Sequence, residues 1–126
     1  MQIVIDTNII VSALLNPNGS AYIFMDSVFG GLYDVIISPS ILNEYKEVLS
    51  RKKFGFSEDE ISFIINWFKT NALLIEVEEQ NYASEIIDKK DVPFYAAAKC
   101  THSKLITGNI KHYPVEEFRT MLWELI

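Results

Sequence analysis

The sequence contains a single cysteine, Cys100, and this shortage excludes several kinds of site. One cysteine allows no internal disulfide and is typical of proteins from a reducing compartment, so we expect a cytoplasmic protein. The cysteine and histidine spacing of a zinc site is also missing. No segment approaches ~20 uninterrupted apolar residues, and the first apolar run is interrupted by Asp6 and Asn8 before it takes the form of a signal peptide. We therefore expect neither a membrane span nor a secretion signal.

Basic residues are also scarce: 11 Lys and Arg stand against 17 Asp and Glu, which gives a formal net charge of -6. Proteins that hold nucleic acid mainly by coating its phosphates need an excess of cations, so this class is disfavoured. A nuclease is not excluded, because carboxylates clustered around divalent metal ions make a site acidic while the ions meet the charge of the substrate.

Strand-like and helix-like patterns alternate along the 126 residues, without repeats, low-complexity stretches or linkers. The segment Gln2–Ile5, in which three of four residues are β-favouring aliphatics, predicts a strand buried on both faces, as is typical of a central parallel strand. We predict one domain, residues 1–126, with a three-layer α/β/α sandwich around a central parallel sheet of about four to five strands. Further strands are predicted at 33–37, 73–77 and 104–108, a short helix at 82–87, a last helix at 118–125, and helix N-caps at Ser20, Ser38 and Ser57.

Acidic and amide side chains fall at positions that this fold brings to one edge of the sheet. Asp6 follows the first strand, Asn109 follows the fourth, and Asp91 opens a helix. Glu44 lies at the margin of the apolar stripe on the helix after the second strand. Because ligands bind where the carboxyl ends of parallel strands meet the following helices, these four residues could share one pocket. Their hard oxygen donors suit Mg²⁺ or Mn²⁺ rather than zinc.

Each of the three acids also has an interpretation that needs no ligand. Asp6 and Asp91 stand where an N-cap would accept hydrogen bonds from backbone amides of the next helix. Glu44 could extend from the edge of its apolar stripe to water. Several such residues at one edge are harder to explain in this way, and the sequence leaves both interpretations open.

Four motifs, in this order, resemble those of the PIN-domain ribonucleases, and in particular of the VapC-like toxins of toxin–antitoxin pairs. The motifs are Val4–Asn8, Glu44, Asp91–Phe94 and Ile106–Asn109, within a resemblance that extends from Gln2 to about Pro114. The resemblance implies a divalent-metal-dependent endonuclease that cuts single-stranded RNA and leaves a 5′-phosphate and a 3′-hydroxyl. It also implies an antitoxin protein and a homodimer as partners.

The resemblance further implies roles for individual residues. Asp6, Glu44 and Asp91 would hold Mg²⁺ or Mn²⁺ and would be the catalytic acids, while Thr7 and Asn8 would orient this set of ligands.

The fourth position of the implied site is occupied by Asn109. Many family members have Asp there, so we expect one well-held ion and a second that binds weakly. Asp88, which precedes Asp91 by three residues, could supply the missing charge.

Two other functions compete with this one. A phosphatase could use Asp6 as its nucleophile, as haloacid-dehalogenase-like enzymes do, but those enzymes have a second Asp where this sequence has Asn8. A degenerate PIN fold that binds RNA or protein without catalysis would fit the amide at Asn109.

Overall fold

Parallel strands form one sheet at the centre of the protein, and their order in the sheet differs from their order in the chain. The structure is a computed structural model that describes residues 1–86 and 88–108 and the backbone of residues 119–121. Within these residues the strand order is β3-β2-β1-β4-β5, and every pairing is parallel. The strands are β1 (Gln2–Ile5), β2 (Asp34–Ile37), β3 (Leu73–Leu74), β4 (Lys104–Thr107) and β5 (Arg119–Met121). The predicted α/β fold with a parallel sheet is confirmed.

The central strand is β1, as predicted. It pairs with β2 on one side and with β4 on the other, with Ile3 opposite Val35 and Ile5 opposite Ile106. Ile3, Val4 and Ile5 are each 0% exposed. Because successive side chains of a strand point to opposite faces, this burial shows that both faces of the sheet are covered, as the predicted three-layer sandwich requires.

Helices connect the strands and supply the two covering layers. In the described part of the chain they are α1 (Thr7–Leu15), α2 (Ser20–Phe29), α3 (Pro39–Leu49), α4 (Glu58–Asn71) and α5 (Val92–Thr101). None of these helices is long and apolar enough to cross a membrane.

Two of the three predicted N-caps are confirmed. The Ser38 hydroxyl accepts a hydrogen bond from the backbone of Ile41, and Pro39 takes the first helical position of α3. Ser57 and Glu60 form the predicted capping box at the start of α4. The prediction for Ser20 is wrong, because α2 already begins at that residue, after Gly19.

The segment before α5 forms short 3-10 turns instead of the predicted helix at 82–87. These turns span Glu79–Asn81 and Ala83–Glu85, and residue 87 lies outside the described residues. Composition does not prevent a helix in this segment, because four of the six residues 82–87 are apolar. Contacts with α5 fix it instead, since Glu85 Oε1 accepts hydrogen bonds from the Tyr95 hydroxyl at 2.8 Å and from Lys99 Nζ at 2.7 Å.

Both outer strands differ from their predictions. β3 covers only Leu73–Leu74 rather than 73–77, although the Ile75 amide still donates to the Ile37 carbonyl at 2.9 Å. Both leucines are exposed, so burial does not extend this edge strand further. Arg119–Met121 form a fifth strand beside β4 where the first turn of the last helix was predicted, because the open edge of β4 provides backbone partners. The rest of that predicted helix lies outside the described residues.

Candidate active site

Asp6 occupies the carboxyl end of the central strand and is almost completely buried. Its residue is 5% exposed, and its backbone amide donates to the Ile106 carbonyl at 2.9 Å. The Thr107 hydroxyl donates to Asp6 Oδ2 at 2.8 Å. The carboxylate is therefore fixed between the ends of β1 and β4, at the edge of the sheet where the sequence predicted a site.

The capping interpretation of Asp6 and Asp91 can now be tested. Both residues occupy the N-cap position, of α1 and α5 respectively. Within the described part of the chain, neither carboxylate accepts a capping hydrogen bond from the backbone of its helix. Capping therefore does not explain why a carboxylate stands at either position.

Glu44 lies on α3, half-buried, in the electrostatic field of the other charged residues at this edge. Burial is the largest cause that raises the pKa of the Glu44 carboxyl, and Glu47 and Asp6 raise it further. Lys90 and Arg51 lower the same pKa without cancelling the shift. Since interactions of this kind weaken with distance, Asp6, Glu44 and Lys90 belong to one neighbourhood, although three different segments carry them.

Asp91 stands where the 3-10 turn Lys89–Asp91 meets α5. It lies between Lys90, which acts on Glu44, and Val92, where α5 begins. Its side chain is half-buried, with Oδ2 fully enclosed. The exposed Asp88 has a local structural role, because its Oδ1 accepts a hydrogen bond from the Lys90 amide at 3.0 Å.

The predicted supporting residues differ in their surroundings. The Thr7 hydroxyl is buried and has no hydrogen-bond partner among the described residues. Asn8 is exposed on the first turn of α1. Asn109 lies outside the described residues, so its predicted role stays a prediction.

The donor set fits a hard divalent cation in chemistry, although the described residues form no preassembled ligand cluster. Asp6 is buried and Glu44 is half-buried; after burial and Glu47, the charge of Asp6 is a further cause that raises the Glu44 pKa, and a cation would relieve this repulsion. Among the described residues, no three Asp, Glu, His or Cys side chains are grouped closely enough to hold a metal ion. A shared ligand set of Asp6, Glu44 and Asp91 therefore stays a prediction.

Three residues at this edge received no role from the sequence: Thr107, Lys90 and Tyr45. Thr107 could have been found from the strand register, because pairing Ile5 with Ile106 sets the next residues side by side. Tyr45 is fully buried, and its hydroxyl donates to the Ile5 carbonyl at 2.6 Å. Burial, and then the nearby Asp6, raise the pKa of the Tyr45 hydroxyl well above its ordinary value. The phenol therefore stays protonated and serves as a donor.

A separate apolar groove of about 570 Å³ opens between α1, α2 and α4. Tyr22 and Phe63 contribute exposed aromatic rings, 46% and 61% exposed. Acidic side chains complete its lining, which consists of Ile10, Ala13, Leu14, Tyr22, Met25, Asp26, Phe29, Asp59, Glu60, Phe63 and Ile64. The groove therefore combines an apolar surface with negative charge.

Fold and site together define a class: a parallel α/β domain with carboxylates at the carboxyl edge of its central strand. The family model for the PIN domain matches residues 2–111. The chain therefore belongs to the PIN domain family, whose members are generally nucleases.

The chain is also similar to individual proteins. The uncharacterized protein MJ1680 from Methanocaldococcus jannaschii is 32% identical over 112 residues, which is 86% of this chain and 71% of that protein. A chain in the crystal structure of VapBC2 from Rickettsia felis, bound to a DNA fragment from its promoter, superposes with a TM-score of 0.64 at 19% identity. That match covers 96% of this chain and 97% of the other. It shows a shared fold.

Proposed function

We propose that this protein is a divalent-metal-dependent endoribonuclease that hydrolyses phosphodiester bonds of single-stranded RNA. It acts in the cytoplasm as the toxin of a toxin–antitoxin pair. The observation that carries the proposal is the environment of Asp6. Its carboxylate is buried at the end of the central strand and is held by Thr107, without capping α1, and its charge acts on a second, half-buried acid, Glu44.

Different residues of the chain have different roles in this reaction. Asp6, Glu44 and Asp91 supply the oxygen ligands, and Thr107 fixes the orientation of Asp6. When bound, Mg²⁺ or Mn²⁺ would supply an activated water, polarise the phosphoryl oxygen and stabilise the departing oxyanion. Lys90 is exposed beside these acids and is placed to attract the RNA backbone.

The antitoxin partner of this proposal fits the apolar groove. An apolar helix face would bury Tyr22 and Phe63, and basic residues beside it would meet Asp26, Asp59 and Glu60. The solved neighbour is named as a VapBC2 complex, which supports a protein partner for this chain. The same acidic lining disfavours a second copy of this acidic chain in the groove, so a homodimer would use other apolar helix faces.

A catalytically inactive binding module is the second candidate. It is favoured by the finding that no three acidic, histidine or cysteine side chains form a metal-holding group within the described residues. An aspartate-nucleophile phosphatase has less support, since Asn8 stands where such enzymes have their second acid.

Cleavage of single-stranded RNA with added Mn²⁺ separates these functions. We expect wild type to cut and to stop in excess chelator. Asp6→Asn, Glu44→Gln and Asp91→Asn should each lower the rate at least ~100-fold while the fold is kept. Asp34→Asn is the matched control. Asp34 is an exposed acid at the start of β2, and therefore at the amino ends of the strands, away from the carboxyl ends where Asp6 lies.

Cleavage that persists in chelator, or an Asp6→Asn variant as fast as wild type, would overturn the nuclease assignment. RNA binding without cleavage at any Mn²⁺ concentration would favour the binding module. Acid-stable phosphorylation of Asp6 would favour the phosphatase.

A further inference from the structure

Tyr45 contacts the end of the strand that carries the buried acid. Its side chain is 0% exposed, and its hydroxyl donates to the Ile5 carbonyl at 2.6 Å. Ile5 directly precedes Asp6, and Tyr45 directly follows Glu44. One hydrogen bond therefore joins the backbone next to one acid with the helical residue next to another.

The ring of Tyr45 extends this connection to the third acid. Its centroid lies 6.1 Å from that of Phe94, which is almost completely buried on the first turn of α5, close after Asp91. On another side it packs on Phe68 of α4, at 4.9 Å. Tyr45 lies on α3, the helix that bears Glu44. Its side chain contacts β1, which precedes Asp6, and α5, which follows Asp91.

A site made of carboxylates needs such a connection. Acids that share one ion repel each other when it is absent, and each tends to move away. Ligands must be held to within about 0.5 Å of their working positions for tight binding, so the supporting residues have to be rigid. A fully buried phenol with a short hydrogen bond to main chain provides rigidity that an exposed contact would not.

We infer that Tyr45 is a positioning residue that fixes Asp6 relative to Glu44 and Asp91. The inference rests on the proposed metal site for its consequence in function, whereas its structural part stands on the Tyr45 contacts alone. Its hydroxyl is engaged by the main chain, so Tyr45 acts through the acids and does not touch the substrate.

The test compares Tyr45→Phe, which removes only the hydroxyl, with Phe24→Leu as a control. Phe24 is also fully buried, but it lies on α2 and its ring contacts Tyr33, which precedes β2 at the opposite edge of the sheet. Phe24→Leu therefore lowers the stability of the fold without releasing the end of β1. Tyr45→Leu provides a larger change at the same position.

Amide hydrogen exchange tests the structural part. The rate at Asp6 is divided by the rate at Ile3, so that a uniform loss of stability cancels. We expect this ratio to rise about tenfold in Tyr45→Phe and to stay at the wild-type value in Phe24→Leu. An unchanged ratio in both Tyr45 variants overturns the inference, whatever the enzymatic activity.

Metal affinity and kinetics test the consequence. We expect Tyr45→Phe to weaken Mn²⁺ binding about tenfold and to lower kcat with little change in the KM for RNA. Phe24→Leu should change neither when both variants are measured well below their Tm. Wild-type Mn²⁺ affinity in Tyr45→Phe, despite a raised exchange ratio, also overturns the positioning role. If wild type neither binds Mn²⁺ nor cleaves RNA, the proposed function fails, and the exchange ratio still decides whether Tyr45 fixes Asp6.

Discussion

The Thr107 hydroxyl donates a 2.8 Å hydrogen bond to Oδ2 of Asp6, joining residues 101 positions apart in the chain. Both residues are buried, at the ends of the adjacent strands β4 and β1. A hydrogen bond to an enclosed carboxylate holds its plane in one orientation and compensates part of the cost of burying its charge. Substitutions at Thr107 therefore test how the carboxylate of Asp6 is held.

Thr107→Val keeps the shape of the side chain and removes the donor. We expect it to lower the free energy of unfolding by about 2 kcal/mol, because the buried carboxylate loses a charge-assisted hydrogen bond. Thr107→Ser retains the hydroxyl and is the control. Urea unfolding of both variants measures the difference, and a Thr107→Val variant as stable as wild type would show that the hydrogen bond does not stabilise this pair.

Glu44→Gln should change how stability depends on pH. The pKa of Glu44 is raised in the folded protein, so the folded state binds its proton more tightly than the unfolded state does. The contribution of Glu44 is thus most favourable below its ordinary pKa of 4.5 and is lost as the pH rises through the raised value. In chelator, we expect Glu44→Gln to gain stability relative to wild type between about pH 4 and pH 7.

Urea unfolding at several pH values measures this difference. Asp34→Asn removes an exposed acid at the opposite edge and is the control. A difference between Glu44→Gln and wild type that does not vary with pH would show that the pKa of Glu44 is not raised in the folded protein.

Asn109→Asp should strengthen the binding of a second metal ion. The substitution adds a carboxylate where the resemblance to VapC-like toxins implies the fourth ligand position. We expect calorimetric titration with Mn²⁺ to show one well-held ion in wild type and two in the variant. Asn109→Gln keeps an amide and is the control, and an unchanged number of ions in Asn109→Asp would place residue 109 outside the ligand set.

Phe63→Asp should prevent binding of the protein partner in the groove and leave RNA cleavage unchanged. Phe63 is 61% exposed in the groove and contacts Phe29 edge to face, so its loss costs the fold little. We expect unchanged RNA cleavage and at least ~100-fold weaker binding of a basic inhibitor protein from the native host, because the new charge adds to an acidic lining. Ser62→Asp adds the same charge to the neighbouring exposed residue and is the control.

Sedimentation of the same Phe63→Asp variant tests the homodimer. If the groove takes the inhibitor and other helix faces join two copies, the variant sediments as wild type does. A shift from dimer to monomer in Phe63→Asp would instead assign the groove to a second copy of this chain.

Sequence reasoning was successful at two of the three predicted N-caps, where neighbours in the chain decide the structure. Ser38 before Pro39, and Ser57 before Glu60, define helix starts through hydrogen bonds across a single turn. The burial of β1 was likewise predictable, since an unbroken apolar run cannot face water on one side.

The residues that complete the site were not predictable in this way. Tyr45 reaches Ile5 over 40 positions, and Thr107 reaches Asp6 over 101, so no local pattern assigns them a role. The helix predicted at 82–87 failed for a related reason, because distant contacts of Glu85 with α5 determine the path of that segment.

The place of β1 between β2 and β4 also determines when the site can form during synthesis. β1 is made before every other strand, yet its neighbour β4 begins only at Lys104. At ~5–20 residues per second, the ribosome takes roughly 5–20 seconds to deliver that neighbour. Until then Asp6 has no Thr107 beside it, and one edge of its strand is open. The proposed nuclease would therefore gain the hydrogen bond that orients Asp6 only after β4 has been made.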